Sequence, residues 1–348
     1  MRMQYKLFVL IFLGMFTLKA NHPLVIETKV IDKTFQVNES AELQINNRYG
    51  NITMTAWDKN TIQIHIEIRV DGKNAEAVKE RISTIDVDFS ANPDLVSAYT
   101  KIGETRKSKN TNIEIHYTVK LPKSNNIEIK NRYGNIYLDE LNGKSKIDLQ
   151  YGSISLGKLN NSLNSWELDY VSNSTVEYVK SAIINADYSH LDIRKSEVLN
   201  LNADYADIKI GDAKDLINVM GYGNLIVSKV NRVSNTADYT NVKIGTLTRS
   251  FVSSGNYGGI SIEQVSRDFE NIDVTADYSS LNLGIDSKAS YKLNASFKYA
   301  KLNYPSNIDM KKVIEKPGSS IYEGVAGNGS GTIQIQMEYG GAKIKLNN

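Results

Sequence analysis

Four side chains early in the sequence have the makings of a metal site. In "IQIHIEIRV" His65 and Glu67 alternate with Ile62, Ile64, Ile66 and Ile68. In "NIEIHYTV" Glu114 and His116 alternate with Ile113, Ile115 and Tyr117. If the two stretches pair as strands, two imidazoles and two carboxylates share a polar face, a donor set that suits zinc. The plainer reading is a solvated strand face with cross-strand ion pairs. A second candidate is a row of aspartates, Asp169, Asp187, Asp204, Asp238 and Asp277, each just before a tyrosine. Stacked one above another, they would offer calcium the clustered oxygens it prefers. Aspartate also suits a tight corner, where its carboxylate accepts backbone N–H groups. Interruption of the same slot by Arg48, Arg132, Gln150, Gly221, Asn256, Lys298 and Glu338 favours the corner role. A third row lies two residues after each tyrosine: Asn51, Asn135, Ser153, His190, Asp207, Asn224, Asn241 and Ser280. Such a flat polar row suits a glycan or a peptide, and equally it keeps a sheet soluble.

Other chemistries are excluded. There is no cysteine, only four histidines, and no Gly-x-Ser-x-Gly elbow for an acyl-transfer nucleophile. The run "GNGSG" at 327–331 lacks the Lys-Ser/Thr of a phosphate-binding loop and precedes no helix, so it is a turn. No cofactor is implied.

The elements that would position these rows repeat. "ADYSHLDI", "ADYADIKI", "ADYTNVKI" and "ADYSSLNL" begin at Ala186, Ala203, Ala237 and Ala276. Tyrosines recur every 17 to 21 residues from Tyr133 through Tyr151, Tyr170, Tyr188, Tyr205, Tyr222, Tyr239, Tyr257 and Tyr278 to Tyr299, with Tyr49 as an outlying copy. Tyr322 and Tyr339 extend the series. Aliphatic residues stand three and five places after the tyrosine, as Ile208 and Ile210 do after Tyr205. This alternation describes strands. Leu201, Ala203 and Tyr205 fall on one face, which places the tyrosine inside the corner and Asp204 outside. A one-layer meander would need a cover, and residues 131–348 hold no long amphipathic helix to supply one. The expectation is therefore an all-β fold, a β-helix-like solenoid of single-stranded coils of 17–21 residues. Eleven or so coils would make a rod of roughly 50 Å. Residues 21–130 break the period and include the helix-like "KNAEAVKERIST"; they are assigned as a first coil plus an inserted α+β capping lobe. Repeats fill 131–304, and 305–348 supply a Gly-rich loop and closing coils.

The opening "MRMQYKLFVLIFLGMFTLKA" has a basic start, an apolar run of about ten residues and a small final residue, the pattern of a secretory signal peptide over 1–20. Its removal takes Arg2, Lys6 and Lys19 from the 41 basic residues and none of the 39 acidic ones, moving the formal charge from +2 to −1. Nothing then points to a nucleic-acid partner. No later stretch reaches the roughly 20 apolar residues of a membrane helix. With no cysteine to carry lipid, the exported chain is not expected to be a lipoprotein.

The stretches "INNRYGNITMTAWDKNTIQIHIEIRV", "NIEIKNRYGNIYLDELNGKSKIDLQYGSISL" and "GSGTIQIQMEYGGAKIKL" resemble the exported bacterial "putative adhesin" domain family of unknown function, over roughly residues 36–347. The resemblance implies a β-solenoid in the cell envelope and supplies no catalytic residues. The expected function is a non-enzymatic exported adhesion, interaction or scaffold module, in the periplasm or at the cell surface. Its partner would be a glycan or an envelope protein. The alternatives are a polysaccharide-lyase-like enzyme on a β-helix and a periplasmic sensing partner.

Overall fold

The computed structural model describes residues 24–105 and 110–347. The leader segment 1–20 lies outside the described residues. The described residues form an all-β solenoid with one short helix among them, Ala75–Ser83. Each coil has two walls. On the first wall, strands leading into the tyrosines stack in parallel and in register: Ile184 on Leu201, Ala186 on Ala203, Asp187 on Asp204. After the corner the chain crosses to the second wall, where Ile193 lies beside Ile210 and Ile210 beside Val227. In the middle of the rod the far bend does not interrupt the strand. His190–Asp204 and Ala206–Met220 each run from the second wall round to the first.

Inward side chains of the two walls meet in one continuous core. Ile208 and Ile210, three and five places after Tyr205, are buried, as are Leu201 and Ala203. The fourth position before the tyrosine stays inward even where it is polar. Asn218, Asn235 and Ser253 are buried in consecutive coils, and they bond to one another. Asn218 Nδ2 donates to Asn235 Oδ1 and Asn235 Nδ2 to Ser253 Oγ, both at 2.8 Å. A buried polar group needs such a partner, and the like-on-like stacking of coils supplies it for every amide nitrogen and hydroxyl of the row, while Asn218 Oδ1 stays without a partner among the described residues.

At the N-terminal end both walls continue past the first coil. Leu95–Ile102 joins the first wall in parallel and Ile85–Asn92 follows it antiparallel. On the second wall Thr111–Pro122 is parallel to Ile52–Trp57, and Thr61–Gly72 and Val25–Gln36 add antiparallel strands. The helix Ala75–Ser83 packs on these last two strands.

The other end departs from chain order. Gly331–Glu338 lies between Asn271–Asp277 and Tyr291–Lys298. Gly341–Asn347 likewise lies between Ser280–Asp286 and Lys301–Asn303. The last strands in sequence thus form the penultimate coil of the rod. The hairpin Asp309–Lys316 and Ser319–Ala326 is laid antiparallel on Tyr291–Lys298. Tyr322 does not continue the corner series. It is buried in that hairpin against Phe297 and Tyr304, with its hydroxyl on Glu315.

Two buried phenols make the fold sensitive to alkali. Burial pushes Tyr117 and Tyr291 up to about 12, and for Tyr117 a bond with Thr100 Oγ1 offsets part of that rise. Unfolded, both ionise near the ordinary value of about 10. The stability they contribute is therefore complete below pH 10 and is lost as pH rises from 10 through 12, by about 2–3 kcal/mol each at the upper end. The denaturant midpoint should therefore be lower at pH 11.5 than at pH 9, and Tyr117→Phe should flatten the difference.

Candidate interaction surface

The corner tyrosines do not fill the core. Eleven residues of the series, among them Tyr49, Tyr133, Tyr205 and Tyr339, have φ between 48° and 67°. This left-handed conformation turns the side chain outward against the alternation of the preceding strand. At Tyr222 the following Gly223 takes the positive φ, 139°, instead. Tyr49 is half-buried; for the others exposure runs from 40% at Tyr133 to 64% at Tyr299, so these rings face solvent. The inward place expected for Tyr205 is corrected on that ground.

In-register stacking brings the rings together. Twelve tyrosines form one unbroken ladder in chain order from Tyr49 to Tyr278, then Tyr339, then Tyr299. Centroids are 4.8–5.4 Å apart and neighbouring planes lie within 14° of parallel. A bulky residue in the left-handed region costs about 1 kcal/mol or more. A stacked aromatic pair returns about 0.5–1.5 kcal/mol. The two nearly cancel, whereas glycine or asparagine would meet the same φ with less strain. Local backbone preference therefore does not account for the tyrosines. The ring faces are turned to one another, which leaves edges and hydroxyls for solvent. At one end the Arg48 guanidinium sits 4.7 Å over Tyr49. At the other, a Cβ added to Gly318 would lie 3.2 Å from the Tyr299 ring.

The aspartate row flanks the ladder and is tied into the coils. Asp187 Oδ1 accepts the N–H of Asp204, and Asp204 Oδ1 accepts that of Tyr205, both at 3.1 Å. Asp238 Oδ1 accepts the N–H of Asn256, whose own Oδ1 accepts that of Asp277. The residue after the tyrosine closes the same turn from the other side. Hydroxyls of Ser189, Thr240 and Ser279 donate to the carbonyls of Asp187, Asp238 and Asp277. Among the described residues Asp169 has no such backbone donor, only Gln150 Nε2 at 3.5 Å. Burial, and then the charges of Asp187, Asp148 and Glu167, hold its carboxyl above the usual range.

On the other flank Asn224 Nδ2 donates to Asp207 Oδ1 at 2.7 Å, and Asn241 Nδ2 donates to Asn224 Oδ1 at 3.4 Å. His190 pairs with Asp207 at 2.8 Å.

The metal candidates sit on paired strands, with Glu67 opposite His116 and Arg69 opposite Glu114. They do not converge. His65 Nδ1 is 2.7 Å from Asp32, and Glu114 is shared between Arg69 and His116 at 3.5 Å. His116 Nδ1 accepts the N–H of Asn51. Among the described residues no group of three or more His, Cys, Asp or Glu is arranged to hold a metal ion. The melting temperature of the purified protein should accordingly be unchanged by calcium, zinc or a chelator. A rise of several degrees with either ion would contradict this arrangement.

Among the described residues no helix is long and apolar enough to cross a membrane. No family model matches the chain, and no curated protein matches it. Solved structures do. A "putative adhesin" from Parabacteroides distasonis ATCC 8503 is 13% identical over 72% of this chain and 95% of its own, with a TM-score of 0.37. A "putative adhesin" from Parabacteroides merdae ATCC 43184 is 12% identical over 71% and 91%, at 0.33. A "putative lipid binding protein" from Parabacteroides distasonis ATCC 8503 is 8% identical over 90% and 96%, at 0.29.

Proposed function

We propose that the chain is a non-enzymatic, exported envelope protein that acts as an adhesion or interaction module, with the tyrosine-lined corner as its contact surface. One observation carries the reading. Eleven exposed aromatic side chains stand in a single row, ten of them at a left-handed backbone position where glycine or asparagine would be easier. Large exposed aromatic patches mark contact sites more often than they occur by chance. The leader-like segment 1–20 supports export, and the absence of cysteine supports a chain without a lipid anchor. In this reading residues 21–130 and 305–348 serve to close the two ends of the 131–304 rod, since a naked terminal coil is a sheet edge open to aggregation. The test uses labelled protein comprising residues 21–348, offered to intact bacterial cells and to envelope fractions. Saturable binding is expected. Release of products from any polysaccharide would overturn the non-enzymatic assignment, and absence of binding to both preparations would overturn the interaction role.

A further inference from the structure

The ladder's geometry narrows what could lie on it. It offers no sugar or planar ligand a free ring face along its length, because each ring is covered by its neighbours. Its end faces are obstructed by Arg48 and by the backbone at Gly318. A peptide adding itself as a strand needs an unpaired edge. Between the ends, each strand is already paired on both sides, as His190–Asp204 is with Ser174–Asp187 and Ala206–Met220. What the ladder does offer is a periodic row of hydroxyls. None of them is engaged by another side chain among the described residues. Carboxylates flank it on one side and amides on the other. Asp187, Asp204 and Asp238 each spend one lone pair on a backbone N–H, and a carboxylate has about four such sites. Phenol, carboxylate and amide side by side are donors and acceptors of the kind that satisfy sugar hydroxyls.

The repeat distance is the second constraint. Rungs follow one another at 4.8–5.1 Å from Tyr133 to Tyr299. An extended β-1,4-linked pyranose chain advances per sugar by close to this same distance, so successive sugars meet equivalent rungs. An α-1,4-linked chain curves and loses the register. Charge is the third. The aspartates beside the central rungs repel uronates and sulfated sugars.

We propose that an extended, uncharged β-1,4-linked glycan binds parallel to the rod along the tyrosine ladder, one sugar to each coil. The proposal rests on the ladder being the contact surface argued above, and it names the ligand class.

Titration calorimetry of the folded protein with cello- and chito-oligosaccharides from two to six sugars tests it. Affinity should climb with each added sugar. Maltohexaose and oligogalacturonate should not bind. The combined variant Y151F, Y170F, Y188F, Y205F, Y222F and Y239F keeps the stack and removes the central hydroxyls. It should bind the favoured hexaose about tenfold more weakly or worse, as the loss of one or more hydrogen bonds predicts, with an unchanged melting temperature. Failure of both β-linked hexaoses to bind would overturn the proposal. So would equal binding of maltohexaose, affinity independent of length, or a phenylalanine variant that binds as the parent does. If labelled protein binds cells but neither hexaose, the glycan assignment falls and the contact surface stands. If it binds neither, both fall.

Discussion

Replacing Trp166 with alanine is expected to cost the fold about 3–5 kcal/mol, the range for deleting a large buried aromatic side chain. Trp166 is fully buried, stacked between Ile147 and Ile184 of the coils on either side. It also anchors a polar chain. Its Nε1 donates to Ser145 Oγ at 2.9 Å, and Ser145 Oγ donates to Asn164 Oδ1 at 2.8 Å. Asn164 Nδ2 in turn reaches the carbonyl of Ser181, one coil further on. The substitution therefore opens a void and weakens a buried link spanning three coils. Trp166→Phe keeps most of the volume but loses part of the bicycle together with the indole N–H, so its cost should be nearer 1–2 kcal/mol. Denaturant titration followed by circular dichroism orders the three proteins. A tryptophan-to-alanine loss below 1 kcal/mol would mean that the walls close over the void.

Gly134→Ala is expected to be nearly as damaging, through backbone rather than core. A Cβ at Gly134 would lie 1.9 Å from the carbonyl oxygen of Gly50 in the coil beneath. A Cβ at Gly152 would meet Gly134 in the same way, at 2.0 Å. Three glycines, each after a ladder tyrosine, let three corners stack at strand spacing. One methyl group forces two backbones apart, at about 3 kcal/mol by the scale of overpacking. It should also disturb the tyrosine stack, since Tyr49 and Tyr133 flank the site at 5.4 Å. Near-ultraviolet circular dichroism reports that loss separately from the melting curve. An unchanged aromatic signal and melting temperature would show that the corner relaxes without cost.

The period, the two-walled rod and the inward aliphatics were legible because parallel in-register stacking makes every coil repeat its neighbour's burial. Ile208 and Ile210 could be placed by spacing alone. Tyr205 could not. Alternation carries a side chain's direction along a strand only while the backbone stays extended, and a left-handed residue reverses it. The break in parity at Ala206 and Asp207 was the available signal. It was masked because tyrosine is an unusual choice for positive φ. Asn218, Asn235 and Ser253 were obscured for a different reason. Their polarity suggests an outward position, and the three-coil hydrogen-bonded chain offsets most of the cost of burying them. The aspartate and asparagine rows were found by their fixed distance from the tyrosine. What their oxygens do depends on backbone donors of the next coil, which no single repeat reveals. The place of Tyr339 between Tyr278 and Tyr299 was hidden because it is decided by insertion, not by spacing.

That insertion bears on the order in which the rod can be completed. Residues 331–347 fill a slot whose upper side, 291–303, is already behind them in the chain. Until they arrive, the coil at 271–286 and the coil at 291–303 have no strand between them. Assembly cannot proceed there as a zipper running from one end to the other, and the final step is the seating of a keystone. A stop codon ahead of residue 331 would remove an interior coil and leave the outermost one detached, so a small truncation at one end of the sequence would be felt inside the molecule.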